Sequence, residues 1–199
     1  MMHNDDNLKK RALGMLSDKR RLHTEGVRKT AKELCEIYGA DAGKTDLAVC
    51  CHDIYRGRQT EELDELIDKY DIPDRYKGNA NLSHGKIAAA VMENEFGISD
   101  RQILDAVSYH TTGRAGMSVL EMIVFLADAI EPGRDYPLVG RLRELSVKDL
   151  DRACLESLEG TISFLEQQGV ADIDPDTLKA RDWLAEKIKN SKTATINHD

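Results

Sequence analysis

Proline and aromatic residues are scarce in this chain of 199 residues, which contains 4 prolines and 5% phenylalanine, tryptophan and tyrosine. Charged residues make up 32% of the chain and hydrophobic residues 41%. With so few prolines, long helices can run uninterrupted, and the composition is typical of a soluble helical protein rather than a β-sandwich or a disordered chain. The length suits one domain built around one sizeable core.

A long hydrophobic run and a surplus of positive charge are also missing. The longest apolar stretch, 119–130, is interrupted by Glu121 and Asp128 and falls short of the ~20 residues that cross a bilayer. The N-terminus, MMHNDDNLKK, lacks the apolar segment of a secretory signal, so we expect a cytoplasmic protein without a membrane partner. The net charge of -8 argues against a nucleic-acid partner but allows a local basic pocket for a small anion.

Cysteine is present without the spacing that would give it a structural or metal-binding role. The four cysteines form no CxxC pair, so the sequence predicts neither a thiolate metal site nor an extracellular disulfide framework. We expect them to be reduced and mostly buried, where cysteine acts as a small hydrophobic residue.

Helical periodicity dominates the chain, and no convincing alternating strand is found. Gly39 is predicted to end the second helix, Ser99 to cap the sixth, and Ser146 with Asp149 to form a variant capping box before the eighth. The segment 44–54 is read as a buried helix, with a buried strand as the alternative. The predicted helices cover about 6–16, 18–38, 44–54, 61–70, 83–96, 100–110, 118–131, 148–168 and 175–190.

The sequence therefore predicts an all-α helical bundle in which the elements from 148 onward wrap or extend the core. Asp174 and Pro175 form a favourable cap and first turn for the last helix. We expect a single domain over 1–190 and a disordered tail over 191–199.

Two aspartates stand in apolar surroundings, where an ionised carboxylate is costly unless it has a partner or binds a metal. Asp53 and its neighbour His52 directly follow the apolar stretch LAVCC. Asp128 lies in VLEMIVFLADAIEP, a helix that is apolar on nearly every face and is therefore expected to be buried. Structural explanations stay open for both: a capped helix end with a hydrogen-bonded histidine at the first position, and an arginine salt bridge at the second.

Four of the 6 histidines lie at helix positions or helix ends that a compact bundle can bring together, whereas His3 and His198 lie in the terminal segments. Alone, none of them is decisive, because a helical histidine is usually packed or exposed, and one at a helix C-terminus is favoured by the helix dipole. Together with carboxylates, imidazoles suit Zn, Fe or Mn, and facing helices are a common place to build such a site. The four candidates are His23, His52, His84 and His110.

The order of these residues, H…HD…H…H…D, resembles that of the HD-domain metal-dependent phosphohydrolases. The segments RRLHTEGV, CCHD, NLSHGKIAA, YHTTGRAGMSVLEMIVFLADAIEPGR and LRELSVKDLDRA are similar to one bacterial subfamily, the YqeK-type symmetrical diadenosine tetraphosphate hydrolases. The likeness covers roughly 10–190, and its most specific part joins the HTTGR block to the FLADAIEPGR block. No metal-ligand position departs from the pattern.

The resemblance implies a metal ion, iron above all, although the ligand chemistry alone does not exclude Mn or Zn. Its implied ligands are His23, His52, Asp53 and Asp128. His84 and His110 correspond to histidines that hold a second metal together with Asp53 or grip substrate phosphate, and with Asp53 they form the implied catalytic set.

The implied reaction is the hydrolysis of diadenosine tetraphosphate into two ADP molecules. Arginine suits phosphate because its planar fork makes bidentate contacts, and Arg20 and Arg134 are favoured over the loop residues Arg58 and Arg114. The candidate substrate-binding residues are Arg20, His23, Asp53, Arg58, His84, His110, Thr111, Arg114 and Arg134, with Tyr109, Tyr136 and Phe164 as guesses for adenine stacking.

Two other functions stay open. An HD phosphohydrolase acting on other nucleotides or deoxynucleotides would have the same fold and metal site, and would be distinguished by its products. A non-catalytic nucleotide sensor would bind the dinucleotide without turning it over. The partner is in each case a small nucleotide, and the sequence leaves the oligomeric state open, a homodimer included.

Overall fold

The structure, a computed structural model, describes residues 2–196 and the side chains of residues 6–191. Within this part of the chain it contains ten α-helices, one short 3-10 helix and no strand, which confirms the predicted all-α fold. The α-helices are α1 Met2–Met15, α2 Asp18–Tyr38, α3 Ala42–Cys51, α4 Thr60–Lys69, α5 Ala80–Asn94, α6 Arg101–Tyr109, α7 Val119–Ile130, α8 Val139–Ser146, α9 Leu150–Gln167 and α10 Pro175–Ile196, and the 3-10 helix is Asp74–Tyr76.

Helix boundaries follow local capping signals. At the start of α2, the Ser17 side chain accepts a hydrogen bond from the backbone N–H of Arg20, and the helix ends at Gly39, whose φ of 70° is left-handed. Helix α7 begins with a capping box between Ser118 and Glu121. The predicted bounds of the long helices are confirmed to within a few residues because these signals are strong.

Helix α7 forms the centre of the molecule. Its residues 120–127 are all buried, and it packs against α2, α3, α6, α8 and α9. Helix α3 lies against α1, α2 and α6 as well as α7. Because α7 is buried on nearly every side, its sequence carries almost no polar residues.

The C-terminal elements extend this core. Helix α8, which precedes α9 in the chain, and helix α10, which follows it, both pack against α9. Leu142, Leu158 and Leu184, one from each of these helices, are almost fully buried. Among residues 2–196, no helix combines the length and the apolar character that crossing a membrane requires.

Three details of the sequence-based assignment need correction. Helix α6 is capped by Asp100, not Ser99, since the Asp100 side chain accepts from the N–H of Gln102 at 2.9 Å. Asp149 caps α9 alone, because Ser146 belongs to α8 and donates to the carbonyl of Arg143. Helix α8 itself was not predicted from the sequence.

Two further expectations concern the cysteines and the tail. All four cysteines are free and buried, as expected. Helix α10 runs to Ile196 and so enters the segment 191–199, while 197–199 lie outside the described residues. The disordered tail and the domain limits stay predictions, and His3 and His198 lie outside the described side chains.

Candidate metal centre

The six residues singled out from the sequence come from five helices or their ends. His52 and His110 are the residues that directly follow α3 and α6, where each serves as the helix C-cap. Asp128 lies in the last turn of α7. The fold therefore places these side chains where helix ends meet: His23 from α2, His52 and Asp53 after α3, His84 from α5, His110 after α6, and Asp128 from α7.

The carboxylate of Asp53 lies in the middle of the cluster. Its Oδ1 is 3.2 Å from Nε2 of His84 and 3.8 Å from Nε2 of His110. Its Oδ2 is 3.6 Å from Nε2 of His52 and 3.8 Å from Nε2 of His23. One buried aspartate thus faces the Nε2 atoms of four histidines, and both of its oxygens are within reach of ring nitrogens.

Asp128 joins the cluster from the opposite side. Its Oδ1 lies 3.0 Å from Nε2 of His23. The side chain is 20% exposed, so Asp128 is partly rather than fully buried: α7 is enclosed over most of its length, as expected, but its last turn opens toward the site. The arginine salt bridge considered as an alternative is also present, with Arg134 pairing to the same oxygen.

All four histidines have an oxygen atom within hydrogen-bond distance of Nδ1. Nδ1 of His52 lies 2.6 Å from the carbonyl of Val49, and Nδ1 of His110 lies 2.7 Å from the carbonyl of Val107. A carbonyl only accepts, so in both rings Nδ1 carries a proton and donates it. In the neutral ring, Nε2 then presents a lone pair toward Asp53, which is the tautomer that a metal ligand needs.

The cluster leaves a buried nitrogen atom without a hydrogen-bond partner. Among the described side chains, Nε2 of His52 is buried and unpaired, whereas Nε2 of His23 has Oδ1 of Asp128 at 3.0 Å. A buried polar atom without a partner is costly and is usually explained by an ion or water. Donor atoms bound at ~2.1 Å to one metal are about 3–3.5 Å apart, and the separations of 3.0–3.8 Å found here are close to that.

Two overlapping sets of donors can therefore hold a metal ion. In each set, the donor atoms lie within 4.8 Å of one another. One set is His23, His52 and Asp128, and the other is His52, Asp53 and His110. The residues present fit a divalent metal with nitrogen and oxygen ligands.

Both aspartates are held in the ionised form. Burial would raise the pKa of Asp53, but the neighbouring histidines, His52 first, hold it well below its usual range. Burial likewise opposes the pKa shift of Asp128, and the hydrogen bond with His23 and nearby positive charges bring its pKa down. The centre thus supplies anionic oxygen ligands at any physiological pH.

The histidines differ in their own protonation. Burial lowers the pKa of His110 to about 3, with help from the neighbouring His84 and His52. His110 is therefore neutral at pH 7, and an imidazolium stabilised by the helix dipole does not explain its position. Burial would lower the pKa of His23 too, but the carboxylates of Asp128 and Glu131 raise it overall, which makes its ring a stronger base.

Of the predicted phosphate-binding residues, Arg20, Arg134 and Thr111 lie at the cluster. Nη1 of Arg20 donates to Oδ2 of Asp53 at 3.0 Å, and Nε of Arg134 donates to the backbone carbonyl of Asp128 at 2.8 Å. The hydroxyl oxygen of Thr111 lies 3.2 Å from Nε2 of His110.

The two loop arginines make their ionic contacts elsewhere. Arg58 is exposed and pairs with Glu62 at 3.1 Å. Arg114 pairs with Glu121, the residue of the α7 capping box, so its charge supports a helix start. Neither arginine is brought to the histidines, because the turns that carry them direct the side chains to acidic neighbours on the next helix.

The aromatic residues proposed for stacking also have other contacts. The ring of Tyr109 faces the ammonium of Lys86, which lies 3.3 Å from the ring centroid. The hydroxyl of Tyr136 donates to the carbonyl of Ala129. Phe164 is 59% exposed. None of these contacts indicates which residue would stack on the adenine base.

Two residues at the centre were missed in the sequence. Nη1 of Arg56 lies 3.4 Å from Nδ1 of His84, and Glu131 lies 3.1 Å from Nδ1 of His23. The signal for Arg56 is its place three residues after Asp53 in a tight turn, where its N–H bonds to the Asp53 carbonyl. Glu131 directly follows the last turn of the Asp128 helix.

Comparison with known proteins agrees with this geometry. Residues 20–133, the segment that carries all six cluster residues, match the model of the HD domain. The chain belongs to the HD-domain family. Several curated relatives are symmetrical bis(5'-nucleosyl)-tetraphosphatases, so the chain belongs to that group within the HD-domain family as well, as the motifs indicated.

Two of these relatives match this HD-domain protein over most of their length. One from Bacillus subtilis is 38% identical over 85% of this chain and 91% of its own, and one from Halalkalibacterium halodurans is 42% identical over 85% and 90%. A solved HD superfamily hydrolase from Clostridium acetobutylicum, described as involved in NAD metabolism, superposes with a TM-score of 0.84 at 34% identity. It covers 92% of this chain and 97% of its own.

Proposed function

We propose that this HD-domain protein is a metal-dependent hydrolase that cleaves diadenosine tetraphosphate symmetrically with water, giving two ADP molecules. The observation that carries the proposal is the cluster of four histidines around Asp53, in which the buried Nε2 of His52 has no hydrogen-bond partner. The names of the curated relatives supply the substrate. The substrate is a small dinucleotide rather than nucleic acid, and we place the reaction in the cytoplasm.

The proposed metal ligands are His23, His52, Asp53 and Asp128, and iron is the metal we favour, with Mn or Zn as alternatives. When bound, a divalent metal lowers the pKa of a water ligand and polarises a phosphoryl oxygen. The two ionised aspartates bring negative charge to the site, which favours binding of a divalent cation.

The remaining histidines act on the substrate or hold a second metal with Asp53. His110 donates through Nδ1 to the carbonyl of Val107 and is neutral, so its Nε2 accepts a hydrogen bond or binds a metal. His84 lies 3.0 Å from it, between His110 and Arg56. This arrangement places a hydrogen-bonding pair beside Asp53, where a phosphate oxygen can be oriented.

Arginines complete the proposed phosphate site. Arg20 and Arg134 neutralise the two aspartates, and each keeps further N–H groups for phosphate oxygens, since a guanidinium has five donors. Arg56 adds a third positive charge on the His84 side. The three arginines counter the overall negative charge of the protein at the place where a polyphosphate must bind.

The proposal is tested by the products of the reaction. Metal-free protein is loaded with ferrous iron under anaerobic conditions, diadenosine tetraphosphate is added, and the nucleotides are separated by ion-exchange chromatography. We expect ADP alone. ATP with AMP would overturn the cleavage position, and no turnover with iron, manganese or zinc would overturn the substrate.

Variants connect the activity to the centre. Asp53→Ala and Asp128→Ala should abolish hydrolysis and retain the helical circular dichroism spectrum, because neither side chain belongs to the hydrophobic core. Asp68→Asn, at an exposed surface position, is the matched control and should have wild-type activity. Full activity with unchanged metal content in either cluster variant would reject the assigned ligands. Light scattering on the same samples measures whether the protein forms a homodimer.

A further inference from the structure

The carboxylate of Glu131 is buried directly behind the metal centre. It is 5% exposed, and its Oε1 accepts a hydrogen bond from Nδ1 of His23 at 3.1 Å. Its second oxygen, Oε2, accepts from the backbone N–H of Gly133 at 2.5 Å. Both carboxylate oxygens are therefore occupied by donors, and one of those donors is the ring of a proposed metal ligand.

Two glycines, Gly26 and Gly133, lie against the Glu131 carboxylate, where a Cβ atom would come too close to it. Gly26 lies in the interior of α2, where glycine is unfavourable, and a Cβ atom on it would lie 2.5 Å from Oε2 of Glu131. A Cβ on Gly133 would lie 3.0 Å from Oε1. Any side chain at Gly26 would displace the carboxylate, so this helix glycine is explained by the close approach of Glu131.

The turn that carries Glu131 is itself fixed by α8. Nε of Arg143 donates to the carbonyl of Ile130, and its Nη2 donates to the carbonyls of Glu131 and Arg134. One guanidinium thus binds three backbone oxygens of residues 130–134. The turn cannot shift without breaking these bonds, which limits the positions available to the Glu131 carboxylate.

We propose that Glu131 is a positioning residue of the metal centre. It fixes the orientation of the His23 ring through the hydrogen bond to Nδ1. Its Oε1 keeps the proton of His23 on Nδ1, so that Nε2 is presented to the metal. Carboxylates behind metal-bound histidines commonly act in this way. The inference rests on the proposed metal site, and it is independent of which nucleotide is the substrate.

Metal affinity is the readout, because it does not require turnover. Protein stripped of metal is titrated with Zn²⁺ in competition with a chromophoric chelator. We expect Glu131→Ala to bind Zn²⁺ about 10- to 100-fold more weakly than wild type. Glu131→Gln should fall between the two, since an amide has a single acceptor oxygen for the two donors that the carboxylate now serves.

Gly26→Ala provides a second test that removes no polar group. Its Cβ displaces the carboxylate, so Zn²⁺ binding should weaken as in Glu131→Ala, and adding Gly26→Ala to Glu131→Ala should cause no further loss. Gly140→Ala is the matched control, because Gly140 is also helical and a Cβ there meets nothing within 4 Å. This variant should bind Zn²⁺ as wild type does.

The outcomes separate the two proposals. Wild-type Zn²⁺ affinity in both Gly26→Ala and Glu131→Ala, combined with a lowered melting temperature, would show that Glu131 only closes the turn and would overturn its positioning role. If Glu131→Ala fails to fold, Gly26→Ala decides the question alone. Wild-type protein that binds no Zn²⁺ at all would overturn the metal centre, which is a different result.

Discussion

Nη1 of Arg56 lies 3.4 Å from Nδ1 of His84, and among the side chains of residues 6–191 no ion pair joins Arg56 to a carboxylate. The other two arginines of the cluster each pair with an aspartate. Burial lowers the pKa of Arg56, although the charge of Asp53 opposes the shift. A half-buried guanidinium without a carboxylate partner is a favourable place for an anionic substrate group.

Replacing Arg56 should therefore affect substrate binding most. We expect Arg56→Gln to raise KM for diadenosine tetraphosphate by about 10- to 100-fold, since a hydrogen bond to a charged group contributes ~1.5–3 kcal/mol. Steady-state kinetics at saturating metal measure the effect. Arg58→Gln, two residues along the same loop and paired with exposed Glu62, should keep the wild-type KM. Equal KM values in the two variants would show that Arg56 does not bind the substrate.

Arg134→Ala should have a combined effect on substrate and metal. Because Arg134 contacts both the side chain and the backbone carbonyl of Asp128, its loss should raise KM and also raise the metal concentration needed for half-maximal rate. Kinetics over a grid of substrate and metal concentrations separate the two effects. Arg141→Ala removes an exposed arginine paired with Glu156 and serves as the control. Wild-type kinetics throughout the grid would exclude Arg134 from both roles.

Glu121 and Arg114 should matter for stability rather than binding. Glu121→Ala removes a capping box and a buried salt-bridge partner, so we expect a loss of about 2 kcal/mol in the free energy of unfolding. For a protein of this size, that lowers the melting temperature by roughly 4–8 °C. Arg114→Ala should be milder, with an unchanged KM. A raised KM at unchanged stability would instead return Arg114 to the substrate site.

The buried thiols should be unreactive in the native protein. Burial raises the pKa of Cys50 to about 11, and burial raises the pKa of Cys51 and Cys154 as well. Below these values the groups are thiols, whereas the thiolate is the form that attacks a disulfide reagent. At pH 8 we expect native protein to react slowly with such a reagent and denatured protein to release four equivalents. Fast labelling of native protein would contradict the described burial.

The fold was predictable where helix boundaries carry chemical signals. Gly39 ends α2, and Pro132 follows α7, as their residue types indicate. Helix α8 was not predicted because it is short and its N-cap residue, Leu138, has no side chain that can accept a capping hydrogen bond. Its position depends on packing against α9 and on the hydrogen bonds that Arg143 donates to the turn at 130–134. The local sequence pattern predicts neither of these tertiary contacts.

The sequence predicted which histidines and aspartates belong to the candidate site, but not which arginines contact them. The order of histidines and aspartates gave the members of the cluster, because the resemblance carried them. Which arginine faces the cluster depends on the direction of each turn. Arg58 and Arg56 share one loop, yet one points to Glu62 and the other to His84. That difference is set by tertiary packing, which pattern analysis does not resolve.

The convergence of helix ends at the centre has an electrostatic consequence. The helices that end at Cys51, Tyr109 and Ile130 all bring their carboxyl termini to it, and each such terminus carries a partial charge of about −0.5. Their combined partial charges favour a cation at the ends of these three helices before any ligand binds. Arg20, Arg56 and Arg134 supply positive charge beside them, so the bare protein already separates a place for a cation from a place for an anion.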